Sequence, residues 1–144
     1  SVGVKRSVRL DYGVWHMTKR HNDTFEQLFP YYRKEVERLG RQIVDDMIQS
    51  LAPTIGRFPS NVSFRKQKKR WGTCTSKGHL LFNWRILLAP SSIIRHVVIH
   101  EMAHLREMNH GPRFWQLVHA VDCTSEQSKQ WLARYGRTLY FFEN

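Results

Sequence analysis

The feature that most constrains this chain is the run His100-Glu101-Met102-Ala103-His104, followed by His110. Two histidines four residues apart act together on a helix, where their Cβ atoms stand about 5–6 Å apart and both rings can face one point. A straight helix carries each further turn about 5 Å along its axis, which puts Glu107 out of reach of that point. A third group has to come from a chain that stops being helical and turns back. Asn109 can adopt the left-handed conformation that ends a helix, and Gly111-Pro112 can keep the chain turning, so His110 is the candidate. The spacing therefore demands a helix, a sharp reversal and a renewed helix.

Three imidazoles around one point form a cation clamp. Neutral imidazole nitrogens hold zinc at about 2 Å, and three protein ligands with an open fourth position mark hydrolytic zinc sites, whereas structural sites close with four. Glu101 is rotated about 100° from His100 and stands beside the cation, in the position of a general base. The expectation is Zn2+ on His100, His104 and His110, with Glu101 as base in metal-assisted hydrolysis of an amide. In a chain with 8 His, this five-residue pattern with the further histidine arises by chance about once in a thousand such chains. Cys74 reads as a packed thiol, with an auxiliary or inhibitory ligand as the alternative. His79, Arg113 and Tyr135 are open candidates for stabilising an oxyanion, and spacing selects none of them.

The 144 residues carry 23 Lys+Arg against 12 Asp+Glu, a net charge of +11. One domain is expected, drawn to acidic partners, nucleic acid first. No apolar run approaches the ~18–20 residues of a membrane-spanning helix, which excludes a helical membrane protein. Two cysteines and no leader-like N-terminus point to a reducing, cytoplasmic setting. Arg65, Lys66, Lys68, Lys69 and Arg70 form a run suited to phosphates, beside Trp71, which can stack on an unpaired base. That run keeps a nucleoid or nuclear location open. It also supports the rival function, a basic nucleic-acid-binding module with a structural or vestigial metal.

The remaining pattern predicts an α+β fold. Apolar residues at even positions over 2–14 suit a strand, so residues 1–23 read as a β arm and 24–144 as the main domain. Thr24 and Gln27 form a capping box for a long helix, which starts there with a kink or else nearer Pro30. Leu28, Tyr32, Val36, Leu39, Ile43, Met47 and Leu51 make its apolar stripe. Residues 53–59 read as a connection. Short strands follow around Val62, Phe64, Trp71 and 79–84, with Gly78 at a turn position needing positive φ. Helices are expected over 90–108, from Pro112, and from a second capping box at Thr124 and Gln127 to a stop at Gly136. The apolar tail 139–142 has to dock on the domain.

The segments Arg70-Trp71-Gly72-Thr73-Cys74, Leu81-Phe82-Asn83-Trp84-Arg85, Leu88-Ala89-Pro90, Val97 through Leu105 and Asn109 through Trp115 resemble the YgjP-like metal-dependent hydrolases, relatives of the SprT and Spartan-type zinc metallopeptidases. The similarity spans roughly 61–136. It implies a minimal zincin-like fold, with a small twisted antiparallel sheet packed on the metal helix, a long N-terminal helix and two C-terminal helices. It implies zinc on the three histidines with Glu101 as base, a protein or peptide substrate, and DNA-associated proteins as one substrate class. Relatives commonly carry a larger β-rich segment before the long helix, where this chain has about two dozen residues. In such a fold the sheet edge beside the metal can add substrate as an extra strand, which makes Trp71, Gly72 and Asn83 the candidate substrate contacts.

Overall fold

A reciprocal cap starts the longest element. In a computed structural model that describes residues 5–140, the Thr24 hydroxyl accepts the N–H of Gln27 while the Gln27 side chain accepts the N–H of Thr24. Helix α1 (Phe25–Ile55) therefore begins at the first of the two expected sites and runs through Pro30. An interior proline costs about 3 kcal/mol. The cap returns about 1 kcal/mol, and the buried face of α1 supplies the rest. That face is rotated from the expected stripe: Val36, Gly40, Val44 and Ile48 lie at its centre, with Leu39, Ile43 and Met47 half-buried beside it. The reason is steric. A Cβ on Gly40 would sit 2.7 Å from the Leu87 side chain, so the neighbouring chain packs directly on the helix backbone there. The expected connection from Pro53 starts later, because α1 continues to Ile55 and closes on Gly56 in the left-handed conformation.

The N-terminal arm is a hairpin. Strands β1 (Ser7–Asp11) and β2 (Val14–Thr18) pair antiparallel across a two-residue turn at Tyr12 (φ 48°) and Gly13 (φ 77°). Two successive positive φ values match the right-handed twist of paired strands. The even-position alternation runs unbroken through this turn, which is why it reads as one strand. Val2 and Val4, part of that pattern, lie outside the described residues. Trp15 Nε1 donates to the Leu87 carbonyl, and the Tyr31 and Tyr32 hydroxyls donate to the carbonyls of Arg6 and Thr18, fastening the hairpin to α1 and the core.

The second sheet has the order β3-β5-β4, from β3 (Asn61–Arg65), β4 (Gly72–Cys74) and β5 (His79–Asn83). Strands β4 and β5 pair antiparallel as expected, with Gly78 at φ 81° in their turn; β3 runs parallel to β5, so the sheet is mixed. A 3-10 turn (Trp84–Leu88) leads to α2 (Ser91–Ala103), then α3 (Pro112–Val121) and α4 (Ser125–Tyr135). The core gathers Val36 and Val44 of α1, Leu80 and Phe82 of β5, Trp84, Ile99 and Met102 of α2, and Phe114 of α3. Two sequence signals resolve differently from expectation. The Thr124 hydroxyl is held by Asp122, so no capping box forms at α4. Gly136 stays right-handed and leads into a 3-10 turn; a Cβ there would meet the Trp71 ring at 3.0 Å, so close packing explains the glycine. Of the apolar tail, Leu139 is buried, and Phe141 and Phe142 lie outside the described residues.

Candidate metal centre

Helix α2 is apolar on nearly every side, with Ile93, Ile94, Val97, Val98, Ile99, Met102 and Ala103 all buried. A helix so enclosed sits within the core and has few positions left for polar groups. Beyond its first turn those positions carry Arg95, His96, His100 and Glu101. The helix stops at Ala103, well before the expected Met108, and the chain tightens into turns in which Leu105 bonds to Met102 and Arg106 to Ala103. Asn109 is not left-handed, since Tyr12 is the positive-φ residue other than glycine among those described. The reversal that delivers His110 thus comes from ending the helix early. Gly111, in extended conformation, then opens α3 with Pro112 in its first turn.

His100, His104 and His110 meet as the spacing requires. His110 Nε2 lies 2.9 Å from His104 Nε2 and 3.3 Å from His100 Nε2. Nitrogens sharing one tetrahedral zinc at about 2 Å are themselves about 3.3 Å apart, so the three fit a divalent cation. They form the group of possible metal ligands found among the described residues. His104 Nδ1 stands 3.0 Å from the Glu107 carbonyl, which can only accept; Nδ1 therefore carries the proton, and Nε2 keeps its lone pair. Burial, helped by the neighbouring imidazoles, pushes His100 down to about 4, and burial lowers His104 as well, so both are neutral at pH 7. Helix α3 sets the rings. Phe114 stacks on His104 at 4.4 Å and meets His100 edge-on at 5.0 Å, while Trp115 stacks on His110 at 5.9 Å.

Glu101 is 7% exposed, and its carboxyl lies against the backbone of β4. A Cβ on Gly72 would sit 2.8 Å from Glu101 Cγ and 3.0 Å from Oε2, so the glycine makes room for the carboxyl. Burial pushes Glu101 up to about 7, against the opposing charge of Arg70. The carboxyl, the histidines, Arg70 and β4 enclose a cleft of about 330 Å³. Beyond His100 and His110 lies a second hollow of about 490 Å³, walled in part by Trp115, His119 and Lys129.

Strand β4 is the edge of its sheet and faces this cleft. Asn83 N–H donates to the Trp71 carbonyl and Thr75 N–H to the His79 carbonyl. Antiparallel pairs alternate between bonded and non-bonded, so the register turns the N–H and C=O of Gly72 and Cys74 toward the open edge. Gly72 is thus placed for main-chain contacts. The other two residues expected to touch substrate are placed elsewhere. Asn83 is fully buried, and its amide donates to the Gln67 carbonyl and the Tyr140 hydroxyl, bracing the loop that leads to β4. Trp71 packs on Tyr140 and Gly136 and does not line the cleft. Cys74 does line it, but burial and nearby Glu101 push its thiol up to about 11, which leaves it protonated. His79, Arg113 and Tyr135 lie outside the cleft.

Arg65, Lys66, Lys68, Lys69 and Arg70 are all exposed, on the end of β3 and the loop to β4. Lys66 Nζ stands 5.2 Å from the Phe29 ring, and Arg70 reaches the cleft. Sequence reading missed the seating of Glu101 on Gly72 and the aromatic wall behind the histidines. Gly72 and Phe114 were visible in the sequence, but nothing local says which partners they meet.

Among the described residues, no helix is long and apolar enough to cross a membrane. The model of a family described as YgjP-like, metallopeptidase domain, matches residues 4–135, which takes in the hairpin and α1 as well as the segments that carry the resemblance in sequence. Among solved structures, the metallopeptidase zymogen of Pyrococcus abyssi, abylysin, is similar with a TM-score of 0.57 and 20% identity, over 63% of this chain and 93% of that one. At that identity the likeness is one of fold. No curated protein matches the chain.

Proposed function

Because the chain belongs to the YgjP-like family of metallopeptidase domains, we propose that it hydrolyses peptide bonds with zinc held by His100, His104 and His110 and with Glu101 as general base. Membership makes it a metal-dependent peptidase that acts on protein or peptide. The observation that carries the finer reading is the convergence of three imidazole nitrogens beside a buried carboxyl, in a cleft bordered by an open strand edge. Zinc, when bound, supplies Lewis-acid polarisation of a carbonyl and acidifies a water.

The remaining work falls to the chain. Gly72 and Cys74 pair with the backbone of an extended substrate and fix its register against β4. A Glu101 oxygen takes the proton of the attacking water and returns it to the departing amine. The wall of Phe114 and Trp115 keeps the rings aimed. Removing His110 tests the site: His110→Ala should weaken zinc affinity by more than the 10–100-fold typical of supporting residues, measured by competition with a chromophoric chelator. Unchanged zinc stoichiometry would pass the role to another residue. Chelation of the wild-type chain should abolish cleavage of unfolded protein.

A second reading rests on the five exposed cations of residues 65–70. They offer a nucleic-acid contact beside the cleft, which would bring DNA-associated proteins within reach. Affinity for single-stranded DNA should fall with salt by about 0.7 log units per log unit for each phosphate engaged. Lys68→Glu with Lys69→Glu should flatten that slope, and a salt-independent affinity would remove the reading. The rival, a nucleic-acid module with a structural metal, needs a closed fourth ligand; among the described residues three histidines converge.

A further inference from the structure

The cleft does not end at the histidines. Past His104 and Met108 it continues into a hollow of about 270 Å³ at the β4–β5 turn. The charge of this extension is one-sided. Arg57 and Lys77 line it, no Asp or Glu does, and neither cation has an acidic partner among the described residues. Phe58 and Met108 add apolar walls that are 60% and 51% exposed, large for side chains of this kind. Ser60, Thr75, Ser76, Gly78 and Leu105 complete the lining, the Ser60 hydroxyl donating to the Lys77 carbonyl. Thr75–Gly78 follow directly on β4, so a peptide extended along that edge passes over this hollow.

We infer that the hollow selects an acidic side chain, glutamate above all, at one position of the bound peptide. Phe58 and Met108 receive the methylene groups, and Arg57 and Lys77 receive the carboxylate. A lysine at the same position meets two like charges, so the preference includes repulsion as well as attraction. The inference rests on the cleft being the peptide-binding site of the proposed peptidase.

The test uses fluorescent peptides that carry Glu, Gln or Lys at one scanned position. Binding is read by anisotropy on the zinc-loaded Glu101→Gln chain and cleavage on the wild-type chain. At one position the Glu peptide should be favoured over the Lys peptide by about tenfold at low salt, the sum of two exposed ion pairs gained or opposed. The ratio should shrink in high salt. Arg57→Glu with Lys77→Glu should bring it to parity or invert it. Lys34→Glu, an exposed site on α1 outside the cleft, should leave it unchanged. Equal binding of all peptides, binding of none, or the same shift from Lys34→Glu overturns the proposal. So does single-stranded DNA that displaces the peptide and is itself lost with Arg57 and Lys77, since the hollow is then a phosphate site. A binding ratio without cleavage defeats the peptidase reading alone, and cleavage without a ratio defeats this proposal alone.

Discussion

Glu101 and Asp23 are two carboxyls with an arginine nearby and little surface left to water. Glu101 is 7% exposed, and so is the Asp23 side chain. They titrate in opposite directions. Asp23 is gripped by Arg6 through Nε at 2.9 Å and Nη2 at 2.6 Å, and accepts the N–H of Arg20 at 2.7 Å; these bonds pull it down to about 2. Glu101 has no hydrogen bond to a described residue, Arg70 acts on it only through its field, and desolvation pushes it up to about 7. Asp23 is covered by its own partner, whereas Glu101 is covered by the core and by Gly72. The difference is one of surroundings: hydrogen bonds from Arg6 hold Asp23 in its charged form beside the hairpin, while burial without such a bond favours the protonated form of Glu101, the proposed base.

The largest effect tests the second half of that contrast. Glu101→Gln should lower kcat by about 10²–10⁴-fold while zinc content by elemental analysis stays at the wild-type level. A rate near wild type would mean that Glu101 is buried without chemical purpose. Gly72→Ala comes next. The added methyl would sit 2.8 Å from Glu101 Cγ and 3.0 Å from its Oε2, so it should displace Glu101, cost about 1–3 kcal/mol of stability, and reduce kcat by more than its effect on KM. A variant that melts earlier at unchanged kcat would make Gly72 a packing residue only.

The smallest effect tests the first half. Asp23→Asn should lower Tm slightly and speed hydrogen exchange in β1, with kcat unchanged. Since the folded Asp23 titrates near 2 and the unfolded one near 3.8, its stabilisation is complete above about pH 4 and is lost as pH falls toward 2. The acid limb of a stability curve should therefore flatten in Asp23→Asn. An identical limb in both chains would show that the pair does not hold the hairpin.

Two identical sequence signals show how far local reading extends. Thr24 with Gln27 and Thr124 with Gln127 both spell a capping box, and only the first forms. At the second, Asp122, two residues upstream, takes the hydroxyl at 2.7 Å. The candidate site divides in the same way. The convergence of His100 and His104 follows from helix geometry, and His110 arrives as its spacing requires. The route of the reversal does not follow: the expected left-handed Asn109 is absent, and the helix instead ends early, at Ala103. Asn83 looked like a substrate contact because it borders the strand edge; its side chain instead braces the loop beside β4, a partnership made across 16 residues.

By itself the sequence determined what short-range forces decide: the cap of α1, the helical spacing of the histidines, and the left-handed Gly78. Each depends on groups a few residues apart, whose geometry the backbone dictates. Only the tertiary structure decided the parallel entry of β3, the seat of Glu101 on Gly72 and the stacking of Phe114 on His104. These depend on which surfaces meet when the core closes. Desolvation, which gives Glu101 its affinity for a proton, is set by everything that replaces water around it, and no local segment of the chain encodes that.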